Sequence, residues 1–482
     1  MPSERRSIGF WGIFIITFSG VGSGPAAIEA LIASAGLVLS LVFLLAFPLF
    51  WGYTQAIMSL DLALHFKDSN GGVPSWLYAL VYREHAESAP DGPARSFLRK
   101  VGRVAASQAL LWTVLMNVSV AAFVSETTVQ YARTMWPAGA ASYGVTLGTT
   151  LAIIVGSLLV NSLGLSFVKR VSWVFSLQSL VSFGVLVGMS AAKLTPASLK
   201  RFDKPSRHIA KLDWPVFLNL LIYNSAGYDT AIYVMREMQR PHLDFRRAVV
   251  AVAVLVNVLY VLTLVFPYIA TDAPASDWQV GYFAVAARQV ASSSSSSGEW
   301  LQVWIIVSVA LSNLQCFINA LHNAAKALSS MTREGILPSR VALPLGASLQ
   351  LARTDASGET CPDALHVAAA LAVLCSLLPL SVNLAVESVL YALVMLAEVA
   401  CFLMLRTEWP RLRRLFVVPA LLLSAWVASV QNRYSLFGTL AALLLASTAL
   451  PLADKDDAAV TQKVANIAEN NTGDLYEREL EL

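Results

Sequence analysis

The amino-acid sequence predicts an all-α polytopic membrane protein with twelve transmembrane helices, of which helices 1 and 6 are broken. Three observations carry that expectation. Of 482 residues, 56% are hydrophobic and only 13% charged, and the mean hydropathy is +0.61, far too apolar for a soluble protein of this size. Apolar runs of about 20 residues recur at 10–33, 37–64, 103–132, 142–163, 166–192, 214–235, 246–270, 299–330, 364–381, 384–405, 411–430 and 433–452. Two of these runs are interrupted by glycine-containing stretches about two hundred residues apart.

The first interruption is Thr17-Phe18-Ser19-Gly20-Val21-Gly22-Ser23-Gly24-Pro25-Ala26-Ala27-Ile28-Glu29. Glycines and a proline so close together weaken a helix. In hydrocarbon an unpaired N–H or C=O costs several kcal/mol unless it faces protein or a water-filled cavity. Pro25 suits the first turn of a new half-helix, where its missing N–H would be unpaired anyway, and Glu29 then falls about one turn into it. A carboxylate at membrane depth costs roughly 2.5–3.5 kcal/mol on insertion scales, so it implies a function, a partner or a wet cavity. The alternative is that Glu29 lies near the outer end of a short half-helix and is hydrated.

The first run has no A-x-A cleavage pattern and reads as a retained span rather than a signal peptide. Residues 1–9 form a short cytoplasmic leader with Arg5 and Arg6. With both termini in the cytoplasm, 25 of the 34 Lys and Arg fall on the cytoplasmic side, as the positive-inside rule requires. The basic loop 193–213 disagrees, being extracellular in this orientation. After span twelve, an acidic cytoplasmic tail, 453–482, carries eight acids against Lys455, Lys463 and Arg478, and nucleic-acid binding is not suggested.

Along the chain, span two contains Gln55 and ends near Asp61. The polar segment 66–102 carries a turn cluster at Asn70-Gly71-Gly72-Val73-Pro74 and an apolar stretch, Trp76 to Tyr82, expected at the membrane interface. Span three brings Asn117 and Glu126; Glu126 could meet substrate or another helix. Span six starts at Asp213-Trp214-Pro215 and breaks at Tyr223-Asn224-Ser225-Ala226-Gly227-Tyr228-Asp229, again followed by a carboxylate. At the start of a half-helix the dipole favours the charged form of Asp229 and desolvation the neutral one.

Glu237 stands beside Arg236 and Arg240, where a surface ion pair is expected. Ser292 to Ser297 form a low-complexity linker. Span eight carries Ser312, Asn313, Asn319, His322 and Asn323. His322 is placed either for proton coupling or for a hydrogen bond to a neighbouring helix. Spans nine to twelve hold few polar residues besides Asn383, Glu387 and Glu398 and read as scaffold or an oligomer contact.

Spans one to five occupy 10–192 and spans six to ten 214–406, with spans eleven and twelve in 407–452. Each half begins with its broken helix, and an odd number of spans per half inverts the second. This is five-plus-five inverted-repeat logic, in which interrupted helices in corresponding positions mark the substrate site of a transporter.

The segments Gly22 to Glu29, Asn161-Ser162-Leu163-Gly164-Leu165, Asp213 to Asn219, Asn224 to Asp229, Ser312-Asn313-Leu314 and Gly335-Ile336-Leu337-Pro338 resemble the amino acid–polyamine–organocation superfamily. Within it they are most similar to the polyamine:proton symporters of plants and trypanosomatids, which have Gly-Pro-x-x-x-Glu in helix one and Tyr/Trp-Asp in helix six. The resemblance spans helices one to eight in order. It implies a LeuT-like fold, proton-coupled uptake at the plasma membrane, and a small organic amine or amino acid held between the breaks. By position, Gly20, Gly22, Ser23, Gly24 and Gly227 would offer free backbone groups. Glu29 and Asp229 would recognise an ammonium group or bind a proton, with Glu126 a further proton-coupling candidate. Tyr228 would give a cation an aromatic face, and Asn224 and Asn313 polar contacts. The chain departs from the plant pattern in helix eight, where carboxylates are replaced by Ala320 and Ala324; that favours a smaller amine or an amino acid.

Other functions find less support. The six histidines make no HExxH, no Gly-Lys dipeptide suits a phosphate loop, and Gly20-x-Gly22-x-Gly24 misses the dinucleotide spacing, so an enzyme is not expected. Cys316, Cys361, Cys375 and Cys401 form no CxxC pair, and neither metal nor cofactor is implied. A channel would need a continuous polar pore. A non-transporting nutrient receptor on a transporter scaffold is the remaining alternative.

Overall fold

The computed structural model describes residues 8–21, 24–66, 71–81, 92–137, 142–199, 212, 214–292, 297–338, 340–342, 348–351, 361–378, 380–405 and 417–430. Gly22, Ser23, most of the basic loop, span twelve and the acidic tail lie outside them. Seven described helices are long and apolar enough to cross a membrane, and shorter apolar helices stand beside them. The chain is an all-helical polytopic membrane protein, apart from an antiparallel ribbon pairing Arg340–Ala342 with Ser348–Gln350.

In order, α1 is Phe10–Gly20, α2 Ala30–Ala35, α3 Leu37–Phe50 and α4 Gly52–His65. The short α5 is Val73–Tyr78, followed by α6 Pro93–Arg133, α7 Tyr143–Ser162 and α8 Leu165–Ala192. After α9, Trp214–Ser225, comes a 3-10 helix, Thr230–Glu237. Then follow α10 Pro241–Ala270, α11 Tyr282–Ala291, α12 Glu299–Arg333, α13 Pro362–Ser376, α14 Leu380–Met404 and α15 Val418–Val430.

The polarity of these helices is turned inside out relative to a soluble bundle. Helix α8 buries Ser172, Ser176, Ser179, Ser182 and Ser190 and exposes Trp173, Val174, Leu177 and Val181. The outward apolar rows face the place of lipid, and the inward small residues let neighbouring helices approach closely. Helix α10 has the same arrangement, with Val250, Val254 and Val258 outward at helical spacing.

Predicted span two is bent rather than continuous. Pro48 cannot donate to the preceding turn, and Trp51 leaves helical geometry at φ −111°, ψ −79°. Immediately after the bend, a Cβ on Gly52 would stand 2.4 Å from the Ser225 carbonyl oxygen and 2.4 Å from the Tyr228 ring. Glycine there lets α4 lie against the second break. The Trp76 stretch, expected at the interface, is instead packed inside: Trp76 is buried and α5 lies along α6.

Candidate substrate site

Both predicted breaks are present. Helix α1 stops at Gly20, and helical structure resumes at Ala30. Glu29 therefore precedes the second half-helix rather than lying one turn inside it, and Ala27 adopts φ 70° to make the turn. Helix α9 stops at Ser225, Gly227 takes φ +90°, and the chain continues as a 3-10 helix with Asp229 at its N-terminus. The glycines permit these positive or crowded conformations because they have no Cβ to clash.

The breaks touch one another. A Cβ on Gly227 would stand 2.3 Å from the carbonyl oxygen of Gly20, and one on Gly20 would stand 3.0 Å from the carbonyl oxygen of Gly227. At the start of α1, the Ile8 amide donates to the Glu237 carbonyl (2.9 Å) and the Gln239 amide donates back to the Ile8 carbonyl (2.9 Å). The two interrupted helices are thus joined at the break and again where α1 begins and the 3-10 helix ends.

Helix α12 organises the surroundings through amides pointing to several neighbours. Asn319 donates to Ser19 (2.7 Å), Gln315 to Ser172 (2.8 Å), and Asn313 to the Val124 carbonyl (3.0 Å) and Thr128 (2.9 Å). Asn161 of α7 donates to the Ile318 carbonyl at 3.0 Å. Asn313 therefore links α12 to α6, while Asn224 donates back within its own helix to the Leu220 carbonyl at 2.8 Å.

Gly24 sits where a Cβ would meet Ser179 (2.3 Å) and Ser312 (3.3 Å). The Tyr260 hydroxyl donates toward the carbonyls of Val21 and Gly24, at 3.4 and 3.5 Å. Polar groups from α8, α10 and α12 therefore converge on the first break. Sequence reading missed Tyr260 and Ser179, because single polar residues in apolar helices carry no signal of where they point.

The two carboxylates beside the breaks differ in environment. Glu29 is 0% exposed, and its Oε1 accepts from the Tyr131 hydroxyl (2.6 Å) and the Gly281 amide (2.8 Å), tying it to α6 and the start of α11. Its Oε2 has no partner among the described residues. Asp229 is partly exposed and forms no side-chain cap on its own helix. It lies within electrostatic reach of Tyr233, Tyr391 and Glu398. Tyr228 is fully buried against Gly52, with its hydroxyl unpartnered among the described residues.

Glu126 stays on its own helix, accepting from Gln130 (2.6 Å) and lying 3.5 Å from Arg133. His322 is buried with neither ring nitrogen bonded among the described residues. Glu237 pairs with Lys326 of α12 at 3.6 Å, and Arg240 lies 3.7 Å from Asp244; the Arg236 side chain, the other expected partner, lies outside the described residues. Helix α14, read from sequence as scaffold, brings Glu398 to Ser59, which donates to it, and Tyr391 to Gln55, to which it donates.

Broken helices meeting among apolar spans mark the chain as an integral membrane protein. The amino acid permease family model matches residues 8–463, and the chain belongs to that family, within the amino acid–polyamine–organocation superfamily. It is 26% identical over 428 residues to polyamine transporter PUT1 of Oryza sativa subsp. japonica, covering 87% of this chain and 71% of that protein. It is 25% identical over 414 residues to polyamine transporter RMV1 of Arabidopsis thaliana, covering 84% of this chain and 74% of that one. Family and relatives indicate a transporter rather than an enzyme.

Proposed function

We propose that the chain is a proton-coupled secondary transporter importing polyamines or related organic amines by alternating access. In this reading 10–192 and 214–406 are the two inverted halves of a LeuT-like fold of twelve helices. The leader 1–9 and the tail 453–482 face the cytoplasm, and 407–452 adds two helices outside the repeat. The protein acts at the plasma membrane.

The observation that carries this reading is the contact of Gly20 with Gly227 beside Asp229, a membrane carboxylate with no ion pair among the described residues. Interrupted helix ends supply backbone dipoles at the repeat interface, and Asp229 supplies the charge that an ammonium group needs. Gly24 completes the backbone side of the pocket, while Gly22 and Ser23, expected from the resemblance to join it, lie outside the described residues; Asn224 and Asn313 shape its polar wall, and Tyr228 its aromatic side. Glu29 is the better-placed proton-coupling candidate. Its two donors stabilise the carboxylate, so protonating it weakens its ties to α6 and the start of α11. Glu126 already has partners on its own helix and has less reason to exchange protons.

The named relatives are polyamine transporters, which supports an amine substrate. Ala320 and Ala324 favour the second reading, an amino-acid permease. Uptake of labelled putrescine, spermidine, arginine and leucine, each competed by the others in reconstituted vesicles with an acidic exterior, separates the two. Polyamines should compete, and collapsing the pH gradient should stop accumulation. Competition by neutral amino acids alone overturns the amine reading.

A further inference from the structure

A multiply charged amine in a low-dielectric site needs more than one anion, and α12 offers alanines where the plant pattern has acids. Helix α14 offers two. Glu387 and Glu398 are eleven residues apart; at 3.6 residues per turn they share one face, offset by about 20° and separated by about 16 Å of rise.

That face runs along the second break. Glu387 lies within electrostatic reach of Tyr223 and Cys316. The Tyr223 ring stands 3.9 Å from that of Phe123, and its hydroxyl 3.9 Å from the Cys316 sulfur, so Glu387 sits where α6, α9 and α12 converge. Glu398 is level with the other side of the break, fully buried, bonded by Ser59 and close to Asp229. Beside it Tyr391 stacks on Trp51, with ring centroids 5.6 Å apart.

Two further observations point to a ligand. The Oε2 atoms of Glu387 and Glu398 are both buried without a hydrogen-bond partner among the described residues. Neither acid, nor Asp229, has an ion pair among those residues, whereas Lys326 and Arg133 are engaged by Glu237 and Glu126. Bare carboxylate oxygens at this depth are relieved by protons or by a cationic guest.

We propose that α14 is the anionic wall of the substrate pocket: Glu387 on one side of the second break, and Asp229 with Glu398 on the other, bind the separated ammonium groups of a linear polyamine. This rests on the amine reading given above and deepens it. Carboxylates spread over up to about 16 Å fit an extended triamine or tetramine better than a short diamine. They also repel the carboxylate of an amino acid.

The test is the KM for spermidine and for putrescine in vesicles reconstituted with wild type, Glu387→Gln and Glu387→Asp. Glu387→Gln should raise the KM for spermidine about tenfold or more and that for putrescine less than about threefold. Glu387→Asp, which keeps the charge but draws it back, should raise the spermidine KM selectively and by less than Glu387→Gln does. Should Glu387→Gln fail to reconstitute, Glu387→Asp decides alone: drawing the charge back by one methylene should raise the spermidine KM selectively, and an equal effect on both amines overturns the proposal. An unchanged ratio of the two KM values in Glu387→Gln overturns this proposal only. A wild type that takes up no polyamine overturns it together with the proposed function.

Discussion

Gly227 lies so close to Gly20 that a single methyl group on its α-carbon would stand 2.3 Å from the Gly20 carbonyl oxygen and 3.1 Å from the Val21 nitrogen. The neighbours it would strike are backbone, which cannot rotate aside. The position also has φ +90°, a region that costs an L-residue roughly 1–2 kcal/mol. Gly227→Ala should therefore separate the two breaks. We expect uptake to fall at least about tenfold and the melting temperature to drop by several degrees, read by vesicle uptake and by thermal unfolding in detergent. A variant with wild-type uptake would show that the close approach is dispensable.

Glu29 and Tyr131 form a buried pair across 102 residues of sequence, at 2.6 Å. Removing the hydroxyl in Tyr131→Phe leaves Glu29 Oε1 with the Gly281 amide alone. A buried hydrogen bond contributes a net of about 0.5–1.5 kcal/mol, so Tyr131→Phe should lower stability by about that much. In a double-mutant cycle with Glu29→Gln, a coupling of about 1 kcal/mol or more is expected. Additive effects would mean that the contact contributes nothing.

The ion pair of Lys326 with Glu237 closes the end of the 3-10 helix against α12, with side chains 9% and 17% exposed. Lys326→Met strands an acid that is mostly buried, and stability should fall by up to about 3 kcal/mol. Adding Glu237→Gln removes the stranded charge and should recover part of the loss. Thermal unfolding of the three proteins checks this; a double variant worse than Lys326→Met contradicts it.

Much of the fold was legible because bilayer depth imposes a run length that any helix must meet, and because glycine and proline inside such runs are costly enough to demand a reason. That logic located Gly20, Gly227 and Asp229. It did not reach Tyr131, Gly281 or Tyr260, which meet the first break only through tertiary packing. Nor did it find Gly52, an isolated glycine whose purpose is the Tyr228 ring and Ser225 carbonyl on another helix. Glu398 looked like scaffold because an apolar helix with one acid does not declare which face it turns inward. Glu237 had arginines beside it in sequence, yet it also meets Lys326 on α12, and Arg240 turns to Asp244. Adjacency in a chain says little about adjacency at a helix end.

The most direct measurement of the whole account is uptake of labelled spermidine by vesicles containing Asp229→Asn, compared with wild type at equal amounts of inserted protein. The substitution keeps shape and removes only the charge beside the joined breaks. Uptake at background, with insertion and melting temperature near those of wild type, is the predicted result. Uptake equal to wild type would contradict the assignment of the pocket between Gly20 and Gly227 as the site that holds the cation.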